Sequence, residues 1–273
     1  MFADDTTITV CGKNLEELQE NIAIVMDEFS SWCQCNRLIL NENKTVITNF
    51  TLLRRLPGEF ATVEGIALAD NTKFLGTYFD SKLTFSDHIH YVCQSLNKAF
   101  YAILQLKDVL DESGIVSVYY ALAHSHMSYN IMAWGNAKDK DRVFIAQKRL
   151  VRLMYNIKPG NTCRPIFKSK QILTFPCIYI LKCVLYVKRN PSWFNTLGQF
   201  HQYNTRNGRL LSIDNHTTNS FKQSPNYNCT VIYNNLPNFL RDIDKYEHFK
   251  HKVKSYLADN VFYSVKEFLE KSD

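Results

Sequence analysis

Apolar positions along residues 14–34 recur at spacings of three and four: Leu15, Leu18, Ile22, Val25, Phe29 and Trp32. That period predicts an amphipathic helix. Asn14 stands where a cap is wanted, with Glu17 three residues on, a capping-box arrangement. Ahead of it, Thr6-Thr7-Ile8-Thr9-Val10-Cys11 is rich in β-branched residues and predicts a strand. Behind it come short β-like pieces at 37–40, 44–50, 63–68 and 73–79. Pro57-Gly58 and Ala69-Asp70-Asn71 punctuate them as turns. The first 80 residues therefore predict strand, helix, then a small antiparallel sheet.

After Phe79 the period changes. Ile89, Val92, Leu96, Phe100, Ile103 and Leu106 form one helical stripe, started by Ser86. Ile115, Val118, Leu122 and Tyr129 suggest a second helix, and Val143, Gln147, Leu150, Val151 and Met154 a third. Residues 176–188 predict a helix buried on most sides. Residues 195–230 are polar and loop-like. A last helical region at 238–271 carries Phe239, Ile243, Tyr246, Phe249, Val253 and Tyr256. The fold class is α+β, with the strands confined to the front. No internal repeat or low-complexity tract interrupts it.

A hydrophobic fraction of 45% and aromatic content of 13% exclude a disordered chain. Eight cysteines are dispersed through apolar stretches, without the basic and apolar regions of a secretory signal. Reduced thiols in a cytoplasmic or nuclear protein fit that pattern best, so the expectation is an intracellular, unsecreted chain. The apolar run at 178–187 contains Lys182 and falls short of the roughly 20 residues that a membrane helix needs.

Net charge is only +6, but residues 142–213 contain no Asp or Glu and thirteen Lys or Arg. A local excess of that size attracts a polyanion. Within it Lys148, Arg149 and Arg152 lie one or two helical turns apart and could grip phosphates. The bland alternative is a solvated helix face balanced by the acidic N-terminal third.

The chain opens Met1-Phe2-Ala3-Asp4-Asp5. Adjacent carboxylates suit hard cations, and two Mg²⁺ ions about 3.5–4 Å apart can clamp attacking and leaving oxygens in phosphoryl transfer. Other acid, His and Cys groupings carry less. His124 and His126 are two apart and face different ways on a helix. Cys33-x-Cys35 lacks a second pair at zinc spacing.

Taken in order, Phe2-Ala3-Asp4-Asp5, the helix at 14–34, Leu38-Ile39-Leu40-Asn41-Glu42-Asn43-Lys44-Thr45 and Lys73-Phe74-Leu75-Gly76-Thr77-Tyr78-Phe79-Asp80 resemble the later palm motifs of reverse transcriptases from non-LTR retrotransposons, the LINE and jockey-like group. Leu83-Thr84-Phe85-Ser86-Asp87-His88-Ile89, Trp134-Gly135, Gln147-Lys148-Arg149-Leu150-Val151-Arg152 and Asn235-Leu236-Pro237 look like that family's thumb, connector and C-terminal segment. The resemblance implies a palm remnant at 1–80, a helical thumb and connector at 81–194, and a loop-rich segment with C-terminal helices at 195–273. It implies that Asp4 and Asp5 are catalytic, metal-ligating aspartates, with Mg²⁺ as cofactor. Lys44 would sit near the incoming triphosphate. Phe74, Leu75 and Gly76 would hold the primer end, and template-primer RNA and DNA would be the partners.

In that family the fingers, the earlier palm strand and the nucleotide pocket precede the Asp-Asp box, where this sequence has three residues. The expectation is a C-terminal portion, inactive alone, with an upstream polymerase fragment as a possible partner. The alternative is a non-catalytic nucleic-acid-binding module that uses the basic region at 142–213.

Overall fold

The computed structural model describes residues 6–41, 43–50, 66–199, 208–213 and 221–271. They fall into two compact units, residues 1–83 and 84–273. The predicted ligands Asp4 and Asp5 lie outside the described residues.

In the first unit, helix α1 (Leu15–Cys35) begins where the cap predicts it. Asn14 Oδ1 accepts the Glu17 amide at 2.8 Å, while the Glu17 carboxylate reaches back to the Lys13 amide at 2.9 Å. One orphan donor of the first turn, the Glu17 amide, is thereby satisfied, together with the Lys13 amide just before the cap. Only Ile22 and Cys33 of this helix are buried; the rest of its apolar stripe is half-buried, and Trp32 is exposed. Thr6–Cys11 is not a strand: it makes no ladder with any described strand. The 37–40 piece is not one either. Sequence alternation cannot supply a partner, and without one an extended run forms no ladder.

Strands β1 (Val46–Ile47) and β2 (Ala67–Leu68) pair in parallel, whereas β3 (Asn71–Phe74) and β4 (Thr77–Asp80) pair antiparallel. The sheet predicted as wholly antiparallel is therefore two separate pairs of opposite sense.

Among its described residues the second unit holds helices and one isolated antiparallel bridge, Thr196 to Leu211. Helix α2 (Ser86–Leu106) buries Ile89, Val92, Leu96 and Ile103, as its stripe predicts. Helix α3 (Glu112–Tyr119) runs through a π turn, Tyr120–His124, into α4 (Ser125–Ser128). Its inward residues are Ile115, Tyr119, Ala123 and Met127, four apart each time. On an ideal helix steps of four would drift about 40° each, and the wider π turn offsets that drift. The predicted stripe is accordingly displaced: Leu122 and Tyr129 are exposed, and Tyr119 is wholly buried instead.

After α5 (Ile131–Trp134) come α6 (Asp141–Met154), α7 (Arg164–Ser169) and α8 (Phe175–Arg189). Helix α8 is the axis of the core, with nine buried residues, and packs on α5, α6, α9 and α11. Trp134 stacks on Phe175 at 5.5 Å, and its indole N–H donates to the Tyr129 carbonyl at 3.0 Å. Helix α9 (Pro225–Asn234) starts inside the stretch predicted as loop. The single helical region predicted at 238–271 is three helices: α10 (Asn238–Arg241), α11 (Tyr246–Asn260) and α12 (Val265–Glu270). Phe239, assigned to its apolar stripe, is 64% exposed. Val261, at φ 49°, ends α11 in the left-handed region.

Candidate nucleic-acid interface

Helices α2 and α6 are the most extensively packed pair of the second unit. Neither carries an acid along its length beyond the first turn. From His88 to Lys107 and from Arg142 to Met154 every charged side chain is Lys, Arg or His. Helix propensity does not demand this, because Glu is as good a helix former as Lys. The pair bears Lys98, Lys107, Arg142, Lys148, Arg149 and Arg152, of which Lys98, Arg142 and Arg149 are exposed.

The three predicted phosphate contacts on α6 point to three places. Arg149 is exposed and lies over the Phe100 ring of α2 at 5.2 Å. Lys148 sits over Phe144 at 4.6 Å and Tyr263 at 5.7 Å, half-buried on the side of the C-terminal segment. Arg152 donates to the Asn161 carbonyl at 3.2 Å, and its Nε is buried with no hydrogen-bond partner among the described residues. Arg149 is thus the one of the three that presents its charge to solvent on the α2 side. Arg142 joins it one heptad earlier. Burial raises the Cys93 thiol on α2, and the charge of Arg142 opposes that rise, which places Arg142 beside α2 as well. Neither arginine has an ion-pair partner among the described residues.

The rest of the acid-free window is less bare than its sequence. Acids from outside reach into it: Glu267 pairs with Arg164 through two contacts of 2.8 and 3.2 Å, Glu112 with Lys170 at 2.6 Å, and Asp242 with Arg209 at 3.2 Å. Lys188 and Arg189 lie over Phe249 and Tyr246. Lys158, Lys168 and Lys182 remain exposed elsewhere in the window, so the α2–α6 face is set apart by having no acid beyond the first turn of either helix, not by holding all of the unpaired charge.

Phe74, Leu75 and Gly76 stand at one tip. Phe74 pairs with Thr77, so Leu75 and Gly76 form a two-residue hairpin loop. Their φ values of 44° and 83° are both positive, the sign pattern of a type I′ turn. Glycine is the residue for the second position, and Leu75 holds a left-handed backbone against its ordinary preference. Lys44 is exposed on a turn built by Asn41. The Asn41 side chain accepts the Lys44 amide at 3.2 Å, and its carbonyl accepts the Thr45 hydroxyl at 2.9 Å. The hairpin and the Lys44 turn belong to the first unit, and Lys148, Arg149 and Arg152 to the second.

Sequence reasoning missed Tyr101, Asn97 and Gln105, which share the outer stripe of α2 and are all exposed. The signal was available in the acid-free run of α2, overshadowed by the longer one that begins at Arg142.

Among the described residues no group of three His, Cys, Asp or Glu side chains could hold a metal ion. No helix among them is long and apolar enough to cross a membrane. None of the eight cysteines is disulfide-bonded.

No family model matches the chain, and no solved structure matches it. It is 26% identical over 159 residues to a probable RNA-directed DNA polymerase from transposon X-element of Drosophila melanogaster, covering 56% of this chain and 18% of that protein. It is 24% identical over 162 residues to the probable RNA-directed DNA polymerase from transposon BS of the same organism, covering 55% of this chain and again 18% of the relative. Over a segment that makes up 18% of those proteins, this chain is related to the RNA-directed DNA polymerases of non-LTR transposons.

Proposed function

We propose that this chain is the nucleic-acid-gripping portion of a retrotransposon RNA-directed DNA polymerase. The first unit contributes a palm remnant and the second a thumb, whose α2–α6 face holds the phosphate backbone of a template-primer. The observation that carries this reading is the absence of acids beyond the first turn of two packed helices that expose Lys98, Arg142 and Arg149. Phosphate contacts of this kind position a nucleic acid without reading its sequence. The hairpin tip at Leu75 and Gly76 is the primer contact in this reading, because a glycine turn lets another backbone approach closely.

Fluorescence anisotropy of the whole chain with an RNA/DNA hybrid over a salt series tests the grip. Binding should weaken steeply with salt, and the double substitution Arg142→Ala, Arg149→Ala should lower the logarithmic salt slope by about two. Salt-independent binding, or a slope unmoved by the double variant, would sink the reading. The same face would also serve a module that binds without catalysis. Primer extension on an RNA template with Mg²⁺ bears on the module alone: extension by the isolated chain would rule it out, and both readings expect none.

A further inference from the structure

Tyr101 projects from α2 with 66% of its surface exposed. The Phe100 ring meets it edge to face, at 5.9 Å and 90°, and Phe100 in turn carries the Arg149 guanidinium at 5.2 Å. Cation, buried-side ring and open ring form one row running from α6 to the outer stripe of α2. One turn of α2 in either direction brings up Asn97 and Gln105, four residues before and after Tyr101 and both exposed. Lys98 and Leu104 flank the ring at three residues.

Attraction to phosphate accounts for the cations of this face, but not for an open aromatic ring between two amides. A duplex keeps its bases stacked on one another and offers such a ring nothing flat. An unpaired base does offer a π-face, and its edges take amide hydrogen bonds. We propose that Tyr101 is the stacking platform for an unpaired base of a single-stranded nucleic acid, with Asn97 and Gln105 beside the base edges and Arg142 and Arg149 on the neighbouring phosphates. This rests on the nucleic-acid reading above and adds that the ligand at this stripe is a single strand.

The test uses the full chain and a short oligothymidylate bearing one fluorescent purine analogue, alone and annealed to its complement. The bound single strand should show quenched purine emission. Tyr101→Ala should weaken single-strand binding by about tenfold or more and abolish the quench. Tyr101→Phe should keep both, and the duplex should bind Tyr101→Ala as it binds the parent. Because Tyr101 is exposed, its removal empties no core. Single-strand affinity and quench that survive Tyr101→Ala overturn the platform while leaving the cationic face standing. No binding of either form overturns the nucleic-acid reading and the platform with it.

Discussion

The side-chain amide of Gln147 donates to the Tyr119 hydroxyl at 2.8 Å in a fully buried site. The same amide nitrogen donates to the Leu173 carbonyl at 2.8 Å, and its oxygen accepts the Phe175 amide at 2.7 Å. One side chain thus ties α3, α6 and the start of α8 together. Gln147→Leu would leave three buried polar groups without their partner, each costing about 1–3 kcal/mol. The expected loss is about 3 kcal/mol or more in urea denaturation, and an unchanged midpoint would refute it.

Gly135 is fixed by its neighbours. A β-carbon there would come within 2.5 Å of the Tyr179 ring and 2.6 Å of the Ile131 carbonyl oxygen, both in the core. Gly135→Ala should cost about 2 kcal/mol through overpacking. Gly160 faces open space at φ 91°, so Gly160→Ala should cost only the backbone strain, about 1 kcal/mol. Thermal melts of the two variants should rank in that order.

Gly76→Ala should loosen the hairpin, since φ 83° is unfavourable to a side chain by about 1 kcal/mol. Hydrogen exchange is the right readout. Amides of residues 71–80 should exchange faster, while those of α2 should not change.

Two histidines should make the protein acid-sensitive. Burial holds the His88 imidazole down at about 4; burial, with help from the charges of Lys182 and Lys254, does the same for His124. Unfolded histidine protonates near 6.5, so between about pH 6.5 and 4 the unfolded chain takes up protons that the folded chain does not. Stability is full above pH 6.5 and falls below it, by at most about 1.4 kcal/mol per pH unit per histidine. Urea midpoints at pH 7 and pH 5 should therefore differ, and His88→Phe, which retains an aromatic ring against Trp134, should shrink the difference. Identical midpoints at the two pH values would contradict the assignment.

Lys148 and Arg149 are neighbours in sequence with unlike surroundings. Arg149→Ala should weaken nucleic-acid binding severalfold, because its charge faces solvent beside Arg142. Lys148→Ala should weaken it less, because its ammonium is held over Phe144 and Tyr263, where cation–π attraction contributes about 0.5–1 kcal/mol. Anisotropy titrations giving the opposite ranking would place the interface on the other side of α6.

Helices with a strict apolar period were legible in the chain. The stripes of α2 and α6, the cap at Asn14 and the buried character of α8 all follow from local spacing. What escaped depends on residues far apart or on local geometry that periodicity averages out. The π turn at Tyr120–His124 keeps Ala123 and Met127 on the inward face that Ile115 and Tyr119 begin, and a 3.6-residue period does not select Met127. Helix α9 hid in an Asn-rich stretch, although Ser224-Pro225 is a start signal and the Ser224 hydroxyl accepts the Tyr227 amide. The parallel sense of β1 and β2 is a pairing choice that alternation leaves open. Of the predicted site, the piece at 73–79 reads as one strand by its pattern and is instead two strands that turn at Leu75 and Gly76, a hairpin that only the family resemblance implies. The uneven exposure of Lys148, Arg149 and Arg152 was not legible either, because it is set by Phe100, Tyr263 and Asn161.

The Arg164–Glu267 contact gives the last helix a second consequence. Glu267 also accepts the Tyr263 amide at 2.7 Å, so one carboxylate both fastens the tail and masks a cation a hundred residues away. Proteolytic clipping before α12 would unmask that arginine and remove Phe268, exposing the Phe262 ring that Phe268 packs against. The tail is a counter-ion as much as a cap, and a shortened chain would be stickier toward polyanions even as its core came undone.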